Sequence, residues 1–169
     1  MAEFLPAFES MILNEGGYVL HDVPGDRGGQ TYAGISRKNW PRWPGWAALD
    51  AGGDPPVQEV REFYRTNFWA PLRLDLVKHL AVARTIFDFA VNAGTGTAAK
   101  LAQLVAGVTP DGRIGPKSLE AINALLPEVF VLRYTLGKLA RYEQIVRRDR
   151  TQSKFLLGWL SRALKEAAV

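Results

Sequence analysis

Glu15, which is followed directly by Gly16 and Gly17, is a candidate acid catalyst. Apolar residues at helical spacing between Phe4 and Ile12 predict a helix that ends near Asn14, so Glu15 is expected at its C-terminus. The partial negative charge of a helix C-terminus and the apolar neighbours disfavour a charged carboxylate, and we expect them to raise the pKa of Glu15. A carboxyl group that keeps its proton near neutral pH can serve as a general acid. A glutamate that only satisfies a turn amide is the alternative.

A second group of polar residues follows within a short segment. Asp22, Asp26 and Thr31 come soon after Glu15, in a stretch that can fold back over the helix end. Hydrolysis of a glycosidic bond needs a proton donor on one side of the bond and a carboxylate or an oriented water on the other. A threonine hydroxyl can help to hold that water. The alternative is that Asp22 and Asp26 stabilise turns of the loop; for Asp22 we favour that interpretation.

Composition excludes several other kinds of chemistry. The chain of 169 residues contains no cysteine and two histidines, His21 and His79. Disulfide scaffolds, cysteine nucleophiles and iron–sulfur clusters are therefore excluded, and a histidine-rich metal site is disfavoured. We expect no cofactor and no metal.

The remaining elements are mostly helical, with one irregular region. Gly, Asp and Pro dominate residues 16–36, which predict a long loop or a short β-hairpin. Downstream, apolar periodicity predicts a series of helices, and alternating strand patterns are scarce. We predict that Asp54 and Thr97 are the N-caps of two helices and that another helix runs from about Leu76 to Asn92. The fold class predicted is mainly α.

Aromatic and amide side chains supply candidate contacts to a sugar. Trp40, Trp43, Trp46 and Trp69 add indole surface, and the apolar faces of sugar rings stack on indoles. Core packing is the alternative for most of them. Asn92, at the end of a predicted helix, has an amide that can hydrogen-bond an N-acetyl group, or can simply cap the helix.

Several motifs together resemble those of the glycoside hydrolase family 108 muramidases, which include phage and prophage endolysins and secretion-associated lysozyme-like enzymes. The resemblance spans nearly the whole chain, and the combination of its first three motifs at this spacing is fairly specific. The motifs are Glu15-Gly16-Gly17-Tyr18, Asp26-Arg27-Gly28-Gly29-Gln30-Thr31, Gly34-Ile35, Phe87-Asp88, Val91-Asn92-Ala93-Gly94, Asp111-Gly112-Arg113-Ile114-Gly115-Pro116, Gly158-Trp159 and Arg162.

This resemblance implies roles for individual residues. Glu15 matches the catalytic glutamate and is expected to be the general acid, with Asp26 and Thr31 at the loop positions of the Glu–Asp–Thr arrangement of phage lysozymes. The predicted substrate-binding residues are Tyr18, Tyr32, Asn92, Trp43 and Trp69. The implied fold is a lysozyme-like helical fold with the irregular or β-hairpin region near residues 16–36.

The resemblance also implies an organisation and an activity. We expect a lysozyme-like catalytic region at residues 1–95 and a helical peptidoglycan-binding-like region at 96–169, packed as one compact unit. The expected enzyme is an N-acetylmuramidase that cleaves the β-1,4 bond between N-acetylmuramic acid and N-acetylglucosamine of peptidoglycan glycan strands. Its role would be cell-wall lysis or the release of particles or proteins. The alternative is a non-catalytic peptidoglycan-binding or phage structural module.

Charge is distributed unevenly along the chain. Residues 1–60 hold 4 Lys/Arg and 8 Asp/Glu, whereas residues 133–169 hold 9 and 3. The basic end fits a polyanion such as the cell wall, or a solvated helix face; without a recognised motif, nucleic acid is not expected as a partner. The N-terminus lacks the pattern of a signal peptide. We therefore expect a monomer made in the cytoplasm, without stable membrane insertion, that acts in the periplasm or cell wall after delivery by a holin or a secretion system.

Overall fold

The computed structural model describes residues 1–14, 16–21 and 29–167. Eight α-helices and three short strands lie in this part of the chain. A π-helical turn at Arg65–Trp69 and 3-10 turns of three residues each lie between helices. The helices are α1 (Phe4–Asn14), α2 (Gly45–Asp50), α3 (Val57–Tyr64), α4 (Leu80–Ala93), α5 (Thr95–Val105), α6 (Pro116–Ala124), α7 (Pro127–Arg148) and α8 (Ser153–Ala167); the strands are β1 (Leu20–His21), β2 (Thr31–Tyr32) and β3 (Ile35–Ser36). The mainly helical prediction is confirmed.

Contacts divide the chain into two compact units. The N-terminal unit is Glu3–Ala70, and the C-terminal unit is Met1–Ala2 with Pro71–Val169. The predicted division into residues 1–95 and 96–169 stays a prediction.

Helix α1 contributes one side of the core of the N-terminal unit. It spans the bounds expected from its apolar spacing, and Phe8 and Ile12 are almost fully buried. The ring of Phe8 lies 5.9 Å from that of Tyr64 on α3, while Phe4 meets Trp69 edge-on at 5.5 Å. Aromatic packing of this kind adds to the free energy gained from burying apolar area.

A three-stranded antiparallel sheet in the order β1-β2-β3 follows, within the region predicted as irregular or hairpin. Ala33 and Gly34, between β2 and β3, both have positive φ, at 49° and 79°. Two successive residues of positive φ form the tight turns whose twist matches that of paired strands. The hydroxyl of Tyr64 donates to the carbonyl of Ala33 at 2.7 Å, which ties this turn to α3.

The start of α3 differs from the prediction. We expected Asp54 to cap it, but Pro56 occupies the N-cap position and no side chain accepts a capping hydrogen bond. Pro56 has an extended ψ of 135°, and the two prolines set the approach of the chain to the helix without an Asp cap. After α3, Asn67 Nδ2 donates to the carbonyl of Phe63 at 2.7 Å within the π-helical turn.

In the C-terminal unit, α4, α5, α7 and α8 enclose a second core. Phe87, Ala98 and Phe130 are fully buried, and Tyr134 donates its hydroxyl to the carbonyl of Ala98 at 3.1 Å. A Cβ atom at Gly137 on α7 would collide with the side chain of Leu101 on α5. Glycine therefore permits the close approach of these two helices.

Two helix starts in this unit also correct the predictions. The helix expected from about Leu76 begins at Leu80, because Leu74–Leu76 forms a 3-10 turn and Val77 is extended. Thr97 does not cap the next helix, which already begins at Thr95 directly after Gly94. Gly94 ends α4 with a φ of 85°, a conformation that glycine adopts without strain. Pro116 and Pro127 start α6 and α7.

No helix in the described part of the chain has both the length and the apolar composition to cross a membrane.

Candidate functional site

The turn after α1 sets the direction of the chain at the predicted acid. The amide of Gly17 donates to the carbonyl of Ile12 at 2.9 Å, and that of Gly16 donates to Leu13 at 3.3 Å. Both glycines have positive φ, at 87° and 77°, which residues with a Cβ adopt only with strain. This pair therefore terminates the helix as its sequence predicted. Glu15, Asp22 and Asp26 lie outside the described residues, and their predicted roles stay predictions.

Thr31 lies in the central strand of the sheet. Its direct partners are His21 on β1 and Ser36 on β3, so three polar residues share one row across the sheet. Thr31 is half-buried, and His21 is exposed. The position of His21 beside Thr31 follows from the register of the strands, which strands of two residues do not reveal in sequence.

Tyr18 lies next to an ion pair that links α1 and α3. Arg61 on α3 donates to Glu9 on α1 at 2.8 Å and also hydrogen-bonds the hydroxyl of Tyr18. Burial is the main cause that raises the pKa of Tyr18; the nearby Glu9 carboxylate raises it further, and Arg61 opposes the rise. The Nε of Arg61 is buried and has no partner among the described residues. Arg61 and Glu9 were missed, because 52 positions separate them in the chain.

Tyr32 is the neighbour of Tyr18 on the sheet side. Its ring is buried and stacks on Trp43 with centroids 6.1 Å apart. Burial raises the pKa of Tyr32, with the negative charges of Asp54 and, when ionised, Tyr18 as additional causes. Both phenols thus keep their protons at neutral pH and can donate hydrogen bonds. The structure brings Tyr18, Tyr32 and Trp43 into one neighbourhood.

The predicted tryptophans differ in accessibility. Trp69 is 0% exposed and packs in the core against Phe4, so it presents no surface to a sugar in this structure. Trp43 is 7% exposed, and Trp40 is 37% exposed. The core alternative therefore describes Trp69, and Trp40 is the tryptophan of this group with accessible ring surface.

Asn92 is engaged in a network of the C-terminal unit. Its Nδ2 donates to the backbone carbonyl of Asp88 at 2.9 Å, and its Oδ1 accepts from Arg162 at 3.0 Å. Arg162 also donates twice to the buried carboxylate of Asp88, at 2.9 and 3.1 Å. Both ends of the Asn92 amide are therefore occupied within the protein. Its predicted role toward substrate is untested, but the contacts show a link between α4 and α8.

The Asp111-Gly112 turn is built around a buried glutamine that the sequence analysis did not single out. Gln103 Nε2 donates to Asp111 Oδ1 at 2.7 Å and lies 3.0 Å from Ser118 Oγ, and Gln103 Oε1 accepts from the amide of Gly112 at 2.8 Å. The hydrogen bond from Gln103 holds the pKa of Asp111 below its usual range, assisted by the amide of Arg113. These contacts support a structural role for the motif.

In the described residues, no three His, Asp or Glu side chains converge where they could hold a metal ion. The N-terminal unit instead offers neutral hydroxyls and one ion pair around Tyr18, Thr31 and Tyr32. Such groups bind an uncharged polyhydroxylated ligand through hydrogen bonds rather than through charge.

Comparison with known families decides the assignment. The model of glycosyl hydrolase family 108 matches residues 8–94, which contain the Glu15-Gly16-Gly17-Tyr18 motif. The chain belongs to glycosyl hydrolase family 108. A second model, described as a predicted peptidoglycan domain, matches residues 97–164. Together the two matches identify this member of family 108 as a glycoside hydrolase that acts on peptidoglycan, and confirm the family expected from the motifs.

A solved structure supports the same assignment. The family 108 chain is similar to the structure of Brucella abortus SagA, with a TM-score of 0.73 and 27% sequence identity over 98% of this chain and 91% of the other. The lysozyme-like helical fold with a small sheet is thereby confirmed. No curated protein matches the sequence.

Proposed function

We propose that this member of family 108 is an N-acetylmuramidase that hydrolyses the β-1,4 bond between N-acetylmuramic acid and N-acetylglucosamine. Glu15 is the general acid in this proposal, and Asp26 and Thr31 orient the water or stabilise the positive charge that develops on the sugar. The observation that carries it is the family match over residues 8–94, which includes all three residues.

The described geometry supports the proposal. The helix end is set by Gly16 and Gly17, so the chain leaves α1 immediately after residue 14 through a turn that a glycine pair favours. Thr31 lies in the central strand β2, which pairs with β1 on one side and with β3 on the other. Helices and paired strands hold catalytic groups more precisely than loops do, and catalysis requires positions within about 0.5 Å of the productive geometry.

Tyr18 and Arg61 extend the proposed site. Tyr18 follows the glycine pair and keeps its proton, and Arg61 Nε is a buried donor without a partner among the described residues. We assign to these two groups the binding of sugar hydroxyl or carbonyl oxygens. Removing the Arg61 guanidinium should therefore raise KM more than it lowers kcat.

Mass spectrometry of digested peptidoglycan tests the reaction. The wild-type protein should release fragments that end in reducing N-acetylmuramic acid, and Glu15→Gln should lose the activity by at least about a hundredfold, the usual contribution of general acid catalysis. Glu3→Gln, which removes an exposed carboxylate at the other end of α1, is the matched control and should retain full activity.

Three outcomes would contradict the proposal. Activity retained by a folded Glu15→Gln variant would remove Glu15 as the acid. Fragments with 1,6-anhydro ends would indicate a lytic transglycosylase. Retention on cell walls without any new reducing ends would favour a non-catalytic binding module.

For the biological role, we propose action on the cell wall in the periplasm, in lysis or in the release of particles or proteins, after delivery by a holin or a secretion system. Fractionation of cells that express the chain with and without a co-expressed holin tests the route. Wall degradation that does not depend on any delivery partner would contradict it.

A further inference from the structure

A cavity of about 690 Å³ lies in the N-terminal unit, between the loop that precedes α2 and the helix α3 with its following turn. Its volume is within the range of small-molecule binding sites. The loop contributes Trp40 and Trp43, and α3 contributes Glu59 and Phe63. Most of the lining is apolar, and none of the residues proposed for catalysis contributes to it.

Aromatic rings form the wall of this cavity. Trp40 meets Phe63 edge-on, with the centroids 4.9 Å apart and the planes at 90°. Trp43 meets Phe63 at 6.2 Å and 65°. Trp40 packs against Phe63 and is still 37% exposed, so part of this residue is accessible to a ligand.

The Trp43 ring is fixed in place. It stacks on Tyr32, meets Trp46 edge-on at 5.1 Å, and lies so close to Gly45 that a Cβ there would collide with it. This indole ring therefore has one position beside the cavity. Groups held in this way lose little conformational freedom when a ligand binds.

Two residues of the lining each carry a buried polar atom that has no hydrogen-bond partner in the described part of the chain: Trp43 through its donor Nε1, and Glu59 through its acceptor Oε2. The neighbouring groups of the same segments are satisfied, since Trp46 Nε1 donates to the carbonyl of Trp40 at 2.8 Å and Glu62 accepts from Thr66 at 2.8 Å. A buried polar group without a partner costs free energy, so a ligand that supplies the partner binds with that gain.

We propose that this cavity is a binding site for an N-acetylated sugar unit of a glycan strand. The acetamido carbonyl accepts from Trp43 Nε1, the acetamido N–H donates to the Glu59 carboxylate, and the apolar face of the pyranose ring stacks on Trp40. One acetamido group thus supplies both an acceptor and a donor, which the two unpaired atoms require. The choice of ligand rests on the proposed function, but the site involves no catalytic residue.

Binding of the N-acetylglucosamine trimer, followed by ¹H–¹⁵N spectra of the indole N–H groups, tests the proposal. The Trp43 resonance, assigned through Trp43→Phe, should shift, whereas that of Trp159 in the C-terminal unit should not. The glucose trimer, which lacks the acetamido groups, should bind at least about tenfold more weakly, because it leaves part of the buried pair unpaired.

Variants locate the binding. Trp40→Ala should weaken binding of the trimer by about three- to tenfold through the loss of ring stacking, and Trp40→Tyr should recover most of it. Phe155→Ala, which removes an exposed aromatic ring of α8, is the control and should bind like the wild type. Far-UV circular dichroism checks that each variant is folded. If Trp40→Ala does not fold, the affinity of Trp40→Tyr for the trimer is compared with that of the wild type instead.

Several results would overturn the proposal: no shift of the Trp43 resonance at millimolar trimer, equal binding of the two trimers, or binding unchanged by both Trp40 variants. Tight binding of a lysine-containing stem tripeptide in place of the sugar would assign the cavity to a cationic peptide instead. Cleavage is measured in parallel, so that the two proposals can fail separately. A wild-type protein that cleaves peptidoglycan but shows no trimer binding at Trp43 refutes the cavity alone, whereas cleavage retained by Glu15→Gln refutes only the proposed acid.

Discussion

The ion pair between Asp88 and Arg162 gives the sharpest test of how the C-terminal helix is held. Asp88 lies in α4 with its side chain 5% exposed, and Arg162 lies in α8 with its side chain 22% exposed. Two hydrogen bonds join them, at 2.9 and 3.1 Å. Replacing Arg162 by alanine removes this cation from beside the buried Asp88 carboxylate.

The size of the effect follows from this burial. Removing one partner of a buried pair costs about 3–5 kcal/mol of unfolding free energy. Water reaches Arg162 in part, so we expect Arg162→Ala to cost about 3 kcal/mol, the lower end of that range. For a chain of this size the melting temperature should fall by about 6–12 °C. Denaturant titration at neutral pH measures the free energy directly.

A matched control separates burial from charge. Arg147→Ala removes an arginine of α7 that pairs with Glu143 at 3.3 Å, with side chains 81% and 60% exposed. Exposed pairs of this spacing contribute about 0.3–0.5 kcal/mol, so this variant should be nearly as stable as the wild type. Adding Asp88→Asn to Arg162→Ala removes the buried negative charge and should recover about 1 kcal/mol or more. Equal losses for Arg162→Ala and Arg147→Ala, or no recovery in the double variant, would show that burial of the Asp88–Arg162 pair does not set its contribution to stability.

Three further predictions concern the two units. Gln103→Leu should lose about 2 kcal/mol in denaturant titration, because its partners are left unpaired, whereas exposed Gln144→Leu should change little. The pKa of Asp111 is lowered in the folded state, so its stabilisation is present above the unfolded pKa of about 3.9 and is lost as pH falls through the folded value. Asp111→Asn should therefore reduce the loss of melting temperature between pH 5 and 3. Gly45→Ala should cost about 1–3 kcal/mol by displacing the Trp43 ring, and wild-type stability would contradict the described contact.

The helical architecture was largely predictable, because its signals are local. The apolar spacing of α1, the glycine pair that follows it and Pro116 at the start of α6 each act over a few residues. Capping was less predictable. Asp54 and Thr97 have good capping side chains, yet the chain uses Pro56 and Gly94 at these helix starts, since the approach of the preceding backbone decides which residue occupies the cap.

The candidate site was predictable only in part. Motifs identified the residue types and the family, and the family match confirms that resemblance. The contacts of Tyr18 with Arg61, the place of His21 beside Thr31 and the unpaired Glu59 were not predictable, because each depends on strand register or on packing between α1, α3 and the loop before α2. A polar residue on an apolar helix face was the signal that could have revealed Gln103.

The sequence alone indicated the class of this protein, a mainly helical member of family 108, and its lack of cysteine excluded thiol and disulfide chemistry. Helix periodicity and motif spacing are properties of neighbouring residues, so they can be read along the chain. The tertiary structure alone decided that Trp69 is core, that Asn92 is bonded to Asp88 and Arg162, and that Trp40 and Trp43 border a cavity. Such pairings join residues up to 74 positions apart, and only the folded chain brings them within hydrogen-bonding distance.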